Sequence, residues 1–333
     1  MTLEAASLEL GGWARWHSAD LPLRVGVSSC LLGEEVRFDG GHARDRFVTD
    51  TLGQWFEFVP VCPEMEIGMG TPRPTVRLQE GHGIRLVAPS TGEDFTERML
   101  TFAEAKIAEL SRLDLDGYIL KKSSPSCGME RIRVYRDNMP SRRNESGLFA
   151  SRLLERWSTL PVEEDGRLND SLLRENFIER VFSRNRWRGL VRRGLSRPRL
   201  VLFHTAHKLL LRAHNEAAYR RLGQLVGSAG TIPDRQLFAT YEAEFQTALQ
   251  TMATPQKHSN VLYHALGYLK RALDPIEKRE ILTAIEDYRK RLLPLVVPLT
   301  LLRYNIRRHS VEYLAGQLYF DPHPKELMLR NHA

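Results

Sequence analysis

The chain has only three cysteines, and each follows a segment that favours β-strand. Cys30 lies two residues after RVGVS, Cys62 directly follows FVPV, and Cys127 follows GYILKK and a short segment rich in Ser and Pro. The carboxyl ends of parallel strands share one edge of a sheet, and ligands bind at that edge. We therefore expect the three sulfur atoms to converge there, although each cysteine taken alone is equally compatible with a small buried apolar residue.

Three converging thiolates suit either zinc or an iron–sulfur cluster. Structural zinc sites have a fourth protein ligand and usually contain cysteines about two to four residues apart. The spacings here are 32 and 65 residues. A cluster held by three cysteines would keep one iron open as a Lewis acid, and a soft substrate atom such as sulfur would suit that iron.

Polar residues suited to hydrolysis lie beside these cysteines. Glu64 follows Cys62 by two residues, and Ser124 and Ser126 precede Cys127. A carboxylate at this place could activate water or carry a proton. The alternative is that Glu64 is an exposed acid on a loop.

Four further residues are predicted to contact a substrate. Asp39 lies in the FDGG segment, where glycines allow the backbone to approach a ligand closely. Arg73 lies between two prolines and could hold an anionic or carbonyl group, or it could be a solvated arginine. Lys121 and Ser126 come from the segment that carries Cys127.

The surrounding pattern predicts an α/β protein with a parallel, Rossmann-like sheet in its N-terminal domain and an all-α C-terminal domain. Strands are predicted at Arg24–Ser28, Trp55–Val61, Ile84–Val87 and Tyr118–Leu120, with a helix at Thr96–Leu113. Helices are predicted at Asp170–Phe182, Pro198–His214, Arg235–Met252, His258–Leu273 and Pro275–Leu292. The expected division is a catalytic domain over 1–160, a linker and connecting helix over 161–195, and a helical domain over 196–333.

Charge is divided unevenly between the two halves of the chain. The net charge is +7, but residues 1–150 contain 18 Lys and Arg against 22 Asp and Glu, and residues 151–333 contain 30 against 19. Such asymmetry favours a basic module for a polyanion attached to a module with another role. The alternative is that arginine-rich helices simply have solvated faces.

The composition also bears on the cellular compartment. Three cysteines in 333 residues do not form a disulfide framework, which favours a reducing cytoplasm. The first residues lack the pattern of a signal peptide. The most apolar stretch, residues 292–302, is shorter than the roughly 20 residues of a membrane helix and contains two prolines. We expect a cytoplasmic protein without membrane contact.

The motifs around the cysteines resemble those of the thiouracil desulfidase family. They are SSCLLG at 28–33 followed by FDG at 38–40, VCPE at 61–64, and LKxxSPSCG at 120–128. The resemblance implies an oxygen-sensitive [4Fe-4S] cluster held by Cys30, Cys62 and Cys127, with the fourth iron free for the sulfur of a thiocarbonyl. It also implies that Glu64 and Ser124 are the catalytic carboxylate and serine. Phe38 stands where the family often has Tyr.

The second half resembles the helical domain that is fused to such a domain in tRNA 4-thiouridine desulfidases. The matching segments are FHTAHKLLLxAH at 203–214, HSNVLYH at 258–264 with GYLK at 267–270, and PLxxPLxLL at 294–302. Basic groups there would bind phosphates, and His and Tyr would stack on unpaired bases. The predicted RNA-binding residues are His204, His207, Lys208, Lys257, His264, Tyr268, Lys270 and Arg271. The alternative is that these stripes form the core of a helical bundle.

These observations predict hydrolytic, non-redox removal of sulfur from 4-thiouridine in tRNA, with a [4Fe-4S] cofactor and with tRNA and its thiolated pyrimidine as partners. One alternative is a desulfidase of free thiouracil or thionucleosides. Another is a non-enzymatic nucleic-acid-binding protein whose cysteines form a structural or redox-sensing metal site. The sequence does not fix the oligomeric state.

Overall fold

A computed structural model of the chain describes residues 12–18, 20–136 and 139–331. The chain forms two compact units. The α/β unit spans Pro22–Asn169, and the helical unit spans residues from Asp170 onward together with the described residues up to Leu21.

The α/β unit contains two sheets. Its strands within the described residues are β1 (Leu23–Ser28), β2 (Phe56–Val61), β3 (Arg77–Glu80), β4 (Ile84–Val87), β5 (Gly117–Leu120), β6 (Ile132–Arg136), β7 (Met139–Glu145) and β8 (Val162–Glu164). Its α-helices are α1 (Pro63–Glu66), α2 (Thr96–Leu110) and α3 (Leu148–Arg156). Short 3₁₀ turns occupy Ser29–Leu32, Leu52–Gln54, Ser111–Leu113 and Arg167–Asn169, and a π turn occupies Phe47–Thr51.

The first sheet is parallel throughout, in the order β2-β1-β5-β8. Val25 and Val27 of β1 and all four residues of β5 are buried, as expected for strands with both faces covered. Helix α2 buries Met99, Ala103, Ile107 and Leu110, which recur at helical spacing on one face. The predicted parallel α/β fold is confirmed.

The second sheet was not predicted. Its order is β4-β3-β6-β7, with β3 and β6 parallel and the outer pairs antiparallel. The strand predicted at Ile84–Val87 lies in this sheet and not in the parallel one. β3, β6 and β7 were missed because they read RLQE, IRVYR and MPSRRNE: β3 and β6 bury only one face, through residues such as Leu78 and Val134, and β7 has no buried residue.

The helical unit consists of α-helices joined by short loops. They are α4 (Ser171–Arg192), α5 (Arg197–His214), α6 (Glu216–Gly227), α7 (Asp234–Gln250), α8 (Pro255–Leu269), α9 (Pro275–Arg289), α10 (Val296–Arg308) and α11 (Glu312–Ala315). Short 3₁₀ turns occupy Ala229–Thr231, Leu318–Phe320, Lys325–Leu327 and Leu329–Asn331. The predicted all-α character is confirmed. Within the described residues, no helix is both long enough and apolar enough to cross a membrane.

Side-chain caps start several of these helices. Asp170 accepts hydrogen bonds from two backbone N–H groups at the start of α4, and Asn215 and Thr254 each accept one, at α6 and α8. Asp274 and Glu277 form a capping box at α9. These polar residues directly precede apolar periodic segments, which is why the starts of the predicted helices lie close to the observed ones.

The boundary between the units differs from the predicted linker over 161–195. Residues 162–164 form β8, the last strand of the parallel sheet, and α4 runs for 22 residues inside the helical unit. The charged sequence VEE gave no strand signal, although all three residues are buried. Near the amino end, Trp13 and Trp16 pack edge-on against Phe182 and Phe203, so this segment belongs with the helical unit.

Candidate active site

A cavity of about 410 Å³ lies beside the carboxyl ends of β1, β2 and β5, and all three cysteines line it. Cys30 lies in the Ser29–Leu32 turn after β1, Cys62 lies between β2 and α1, and Cys127 lies in the loop after β5. Cys127 is buried, and the other two thiols are half-buried. Among the described residues, no three His, Cys, Asp or Glu side chains are placed to hold one metal ion between them.

The protein surroundings make these thiols weak acids. Burial raises the pKa of Cys30 to about 11 and also raises the pKa of Cys62 and of Cys127. The neighbouring cysteines raise the pKa values of Cys30 and Cys127 further, since negative charges on the sulfurs repel one another. Lys121 near Cys30 and a hydrogen bond from Ser28 to Cys127 act in the opposite direction.

A chain of hydrogen bonds crosses the cavity beside the cysteines. Ser126 Oγ donates to Glu64 Oε1 at 2.5 Å, and the hydroxyl oxygens of Ser124 and Ser126 are 2.9 Å apart. Ser124 Oγ also accepts from the backbone N–H of Cys127 at 3.1 Å. The structure therefore joins the predicted carboxylate to both predicted serines in one proton-carrying chain.

Arg73 fixes the other side of this carboxylate. Its Nη2 forms an ion pair with Glu64 Oε2, and its Nη1 donates to the carbonyl oxygens of Val36 (2.9 Å) and Gly70 (2.8 Å). The Arg73 side chain is only 2% exposed, against 15% for Glu64. Arg73 also lines the cavity, so the predicted substrate contact stays a prediction; its terminal nitrogens contact Glu64 and two carbonyl oxygens, and Arg73 thereby orients Glu64.

Lys121 is held by Asp165, a residue that no sequence motif indicated. Its Nζ donates to Asp165 Oδ2 at 2.7 Å, and the N–H of Lys122 donates to Asp165 Oδ1 at 2.7 Å. Ser28 Oγ accepts from the N–H of Lys121 at 3.0 Å. Asp165 directly follows β8, and this position at the end of a strand was the only indication of its role. The charged sequence of β8 does not predict a strand, so the position of Asp165 could not be recognised.

The FDGG loop contributes Phe38 and not Asp39 to the cavity lining. The Asp39 carboxylate is half exposed, and its Oδ1 accepts from the N–H of Gly41 at 3.1 Å. This hydrogen bond, with smaller contributions that include Arg37, lowers the pKa of Asp39. The structure does not bring Asp39 to the cavity, whereas the Phe38 ring lines it and is 40% exposed. The sequence feature that could have indicated Phe38 is an aromatic residue in a loop that contains two glycines.

In the helical unit, two predicted RNA contacts are wrong because they are buried. His204 Nδ1 lies 3.2 Å from the hydroxyl of Tyr241, and His207 lies between Arg186 and the carbonyl oxygen of Phe203. Their helical spacing reflects packing in the core, as the alternative interpretation held.

The other predicted RNA contacts differ in exposure. Lys257 is half-buried, and its Nζ donates to the carbonyl oxygens of His214 and Met252. Lys208 and His264 are also half-buried. Tyr268, Lys270 and Arg271 are exposed, and the Tyr268 ring lies near those of His264 and Tyr313.

Comparisons with known proteins match the two units separately. The model of a family described as 2-thiouracil desulfurase matches residues 25–165, and that of a family of unknown function, DUF1722, matches residues 208–324. The uncharacterized protein YbgA of Escherichia coli (strain K12) is 29% identical over 158 residues, which are 47% of this chain and 94% of YbgA. The uncharacterized protein YbbK of Bacillus subtilis (strain 168) is 33% identical over 108 residues, which are 31% of this chain and 71% of YbbK.

A solved structure also matches. The [4Fe-4S]-dependent thiouracil desulfidase TudS is 30% identical and is aligned over 44% of this chain and 93% of its own, with a TM-score of 0.35. The family model spans residues 25–165 and includes all three cysteine motifs, and YbbK is 33% identical and covered over 71% of its length. Through its α/β unit, the chain belongs to the thiouracil desulfidase family.

Proposed function

We propose that the α/β unit hydrolyses the thiocarbonyl group of a thiolated pyrimidine, with Cys30, Cys62 and Cys127 holding a [4Fe-4S] cluster. The observation that carries this proposal is the meeting of three thiols and the Glu64–Ser126–Ser124 chain in one cavity. Its volume of about 410 Å³ falls within the range of small-molecule sites, roughly 300–1,000 Å³.

The residues present fit an iron–sulfur cluster. Burial and repulsion between the sulfurs disfavour the charged thiolate form of the three cysteines in one cavity. A positively charged iron core would favour the thiolate form, because a thiol loses its proton when it coordinates a metal. Cys30, Cys62 and Cys127, which all line the cavity, would hold the cluster. When bound, such a cluster supplies a Lewis-acidic iron for the thiocarbonyl sulfur.

In this proposal, side chains of the protein carry out the proton transfers. We assign Glu64 as the base that takes a proton from water as the water oxygen bonds to the thiocarbonyl carbon. Ser126 and Ser124 carry that proton toward the departing sulfur through their 2.5 Å and 2.9 Å contacts. One C–O bond forms and one C–S bond breaks, water supplies both protons of hydrogen sulfide, and no electron is transferred.

The substrate that we propose is 4-thiouridine in tRNA. A base in folded RNA must leave its stack to enter a cavity, at a cost of a few kcal/mol. Phosphate contacts offset that cost, and the basic excess of residues 151–333 supports an RNA partner. Tyr268, Lys270 and Arg271 are the predicted RNA contacts that remain exposed.

The proposal is tested with the full chain, reconstituted anaerobically with iron and sulfide and incubated with tRNA that contains 4-thiouridine. Mass analysis of the digested nucleosides should show 4-thiouridine replaced by uridine. Cys62→Ser should lose both cluster and activity. Unchanged 4-thiouridine with the loaded protein would contradict the tRNA assignment, and an active Cys62→Ser protein would contradict the role of the cluster.

A second candidate is a desulfidase of free thiobases, favoured by the fact that the cavity lining runs only from Ser28 to Cys127, within the α/β unit. Salt separates the two candidates. Turnover of tRNA should fall steeply as salt rises, because each phosphate contact releases a counterion, whereas turnover of free 4-thiouracil should change little.

A further inference from the structure

The outer face of the second sheet carries arginines around one tyrosine. Strand alternation and register place on this face Arg77 of β3, Arg85 of β4, Arg133 and Tyr135 of β6, and Arg143 of β7. The opposite face buries Leu78, Leu86 and Val134. We call this surface the arginine face. Because β3, β6 and β7 are neighbours, its arginines span about 10 Å across the strands.

Tyr135 orders two of these arginines. The guanidinium carbon of Arg77 lies 4.5 Å from the centre of the Tyr135 ring, and that of Arg133 lies 5.9 Å from it. Arg133 and Arg143 are opposite each other in register and both are exposed. Two cationic groups on one ring, with a third on the next strand, form a pre-organised array of donors.

Carboxylates pair with arginines on the opposite face and with Arg85 on the edge strand of the arginine face, but not with Arg77, Arg133 and Arg143. Arg136 and Arg142 both form ion pairs with Glu80, at 3.7 Å and 3.4 Å. Arg85 lies 3.7 Å from Asp94. Among the described residues, no ion pair involves Arg77, Arg133 or Arg143. Three cations side by side without a carboxylate call for an anionic partner.

The arginine face begins where the lining of the cavity ends. Residues 73–76 line the cavity and lead directly into Arg77, and the loop with Cys127 leads into β6. β3 and β6 are parallel, with Leu78 opposite Val134. Arg77 and Arg133 therefore lie side by side near the amino-terminal ends of these strands, which follow the cavity-lining segments in the sequence.

We propose that the arginine face binds the phosphate backbone of the RNA strand beside the thiolated nucleotide. This inference rests on the proposed function, and it adds an RNA contact on the catalytic unit itself. Arginine suits phosphate because its planar fork donates two parallel hydrogen bonds, and the Tyr135 ring holds Arg77 and Arg133 in place for such contacts. The exposed side chains here are mostly charged, which suits RNA better than the apolar centre of a protein–protein interface.

The test compares two full-length double variants with equal loss of charge. Arg133→Gln/Arg143→Gln removes two cations from the arginine face. Arg112→Gln/Arg156→Gln is the control, because both arginines are exposed in the same unit and neither forms an ion pair with a described residue. The dissociation constant for 4-thiouridine tRNA is measured against KCl concentration, and turnover of tRNA is compared with turnover of the 4-thiouridine nucleoside, which has no phosphate.

The arginine-face variant should bind tRNA about tenfold or more weakly near 0.1 M salt, and its salt slope should fall by about two. Its ratio of tRNA to nucleoside turnover should fall in parallel, while the control stays near the wild type. If the wild type acts on tRNA and both double variants bind alike, the inference alone is wrong. If the wild type acts on the nucleoside and does not bind tRNA, the tRNA assignment is wrong and the inference fails with it.

Discussion

The carboxylate at the centre of the cavity is held from two sides. Arg73 contacts one oxygen of Glu64 and Ser126 contacts the other. Two fixed partners keep the carboxylate in one orientation, which matters because a misplacement of about 1 Å can lower a rate by roughly a hundredfold. The two contacts hold Glu64 in the fixed orientation that its proposed role as a base requires.

Replacing Glu64 by Gln should lower kcat for free 4-thiouracil by about 10²- to 10⁴-fold, since the amide cannot accept the proton from water. Iron and sulfide content should stay at the wild-type level, because Glu64 is not among the proposed ligands. The measurements are steady-state kinetics and metal analysis of the anaerobically loaded protein. Loss of iron in Glu64→Gln would instead identify Glu64 as a ligand.

At this scale the sequence predicted residue types better than residue roles. Cys30, Cys62, Cys127 and Glu64 meet in one cavity because each of β1, β2 and β5 is followed by a segment that carries one of the cysteines. The role of Arg73 could not be predicted, because it depends on the carbonyl oxygens of Val36 and Gly70, whose directions only the folded loop sets.

At the scale of elements, close packing between two strands holds the cavity edge in place. Gly26 of β1 is in register with Tyr118 of β5, and a Cβ atom on Gly26 would lie 2.3 Å from a carbon of the fully buried Tyr118 ring. Larger residues at this point would force apart the strands that precede Cys30 and Cys127.

Gly26→Ala should therefore destabilise the α/β unit by about 1–3 kcal/mol, the usual cost of overpacking a core. Gly267→Ala is the control, because Gly267 lies in α8 with open space around its Cβ position. Urea unfolding followed by circular dichroism measures both. A wild-type midpoint for Gly26→Ala would show that the ring moves aside without cost.

Apolar runs account for the strands that the sequence predicted correctly. The segments that form β1, β2 and β5 are mostly apolar and have Ser, Pro or Lys close behind them. The other strands contain charged residues, which either lie on the exposed face of a sheet or have buried hydrogen-bond partners. Glu164 in β8, for example, accepts from the N–H of Met129 at 2.5 Å. Tertiary contacts of this kind leave no periodic trace in the sequence.

At the scale of the whole molecule, the net charge of each half of the chain is a poor guide to the charge of its surfaces. Residues 1–150 carry more acidic than basic groups, yet residues 131–143 contain five arginines and one aspartate. The negative total therefore hides the arginine face. In the helical unit, two residues expected on a basic surface, His204 and His207, instead lie in the core.

The buried histidines predict how the helical unit responds to acid. Burial lowers the pKa of His204 to about 4, of His258 to about 3 and of His323 to about 4. Each therefore stays neutral in the folded state while the unfolded chain takes up a proton near pH 6.5. Because the unfolded state binds more protons, the free energy of unfolding falls as pH decreases from 6.5 toward 4.

The expected slope is about 1.4 kcal/mol per pH unit for each such histidine, roughly three times that for these three, and more with His207, whose pKa burial also lowers. Chemical unfolding of the full chain at intervals between pH 7.5 and 5 measures it. His258→Gln should reduce the slope by about one histidine. A free energy of unfolding that does not change over this range would contradict the buried, neutral state.

The position of β8 has a consequence for where the chain can be divided. β8 pairs with β5, whose four residues are all buried, and Asp165 just beyond it holds Lys121 at the cavity. A fragment that stopped at residue 160 would leave one edge of β5, the edge opposite β1, without a neighbouring strand. Such an open apolar edge recruits strands from other chains and aggregates. We therefore expect an α/β unit cut before residues 161–169 to aggregate and to lose the contact of Asp165 with Lys121.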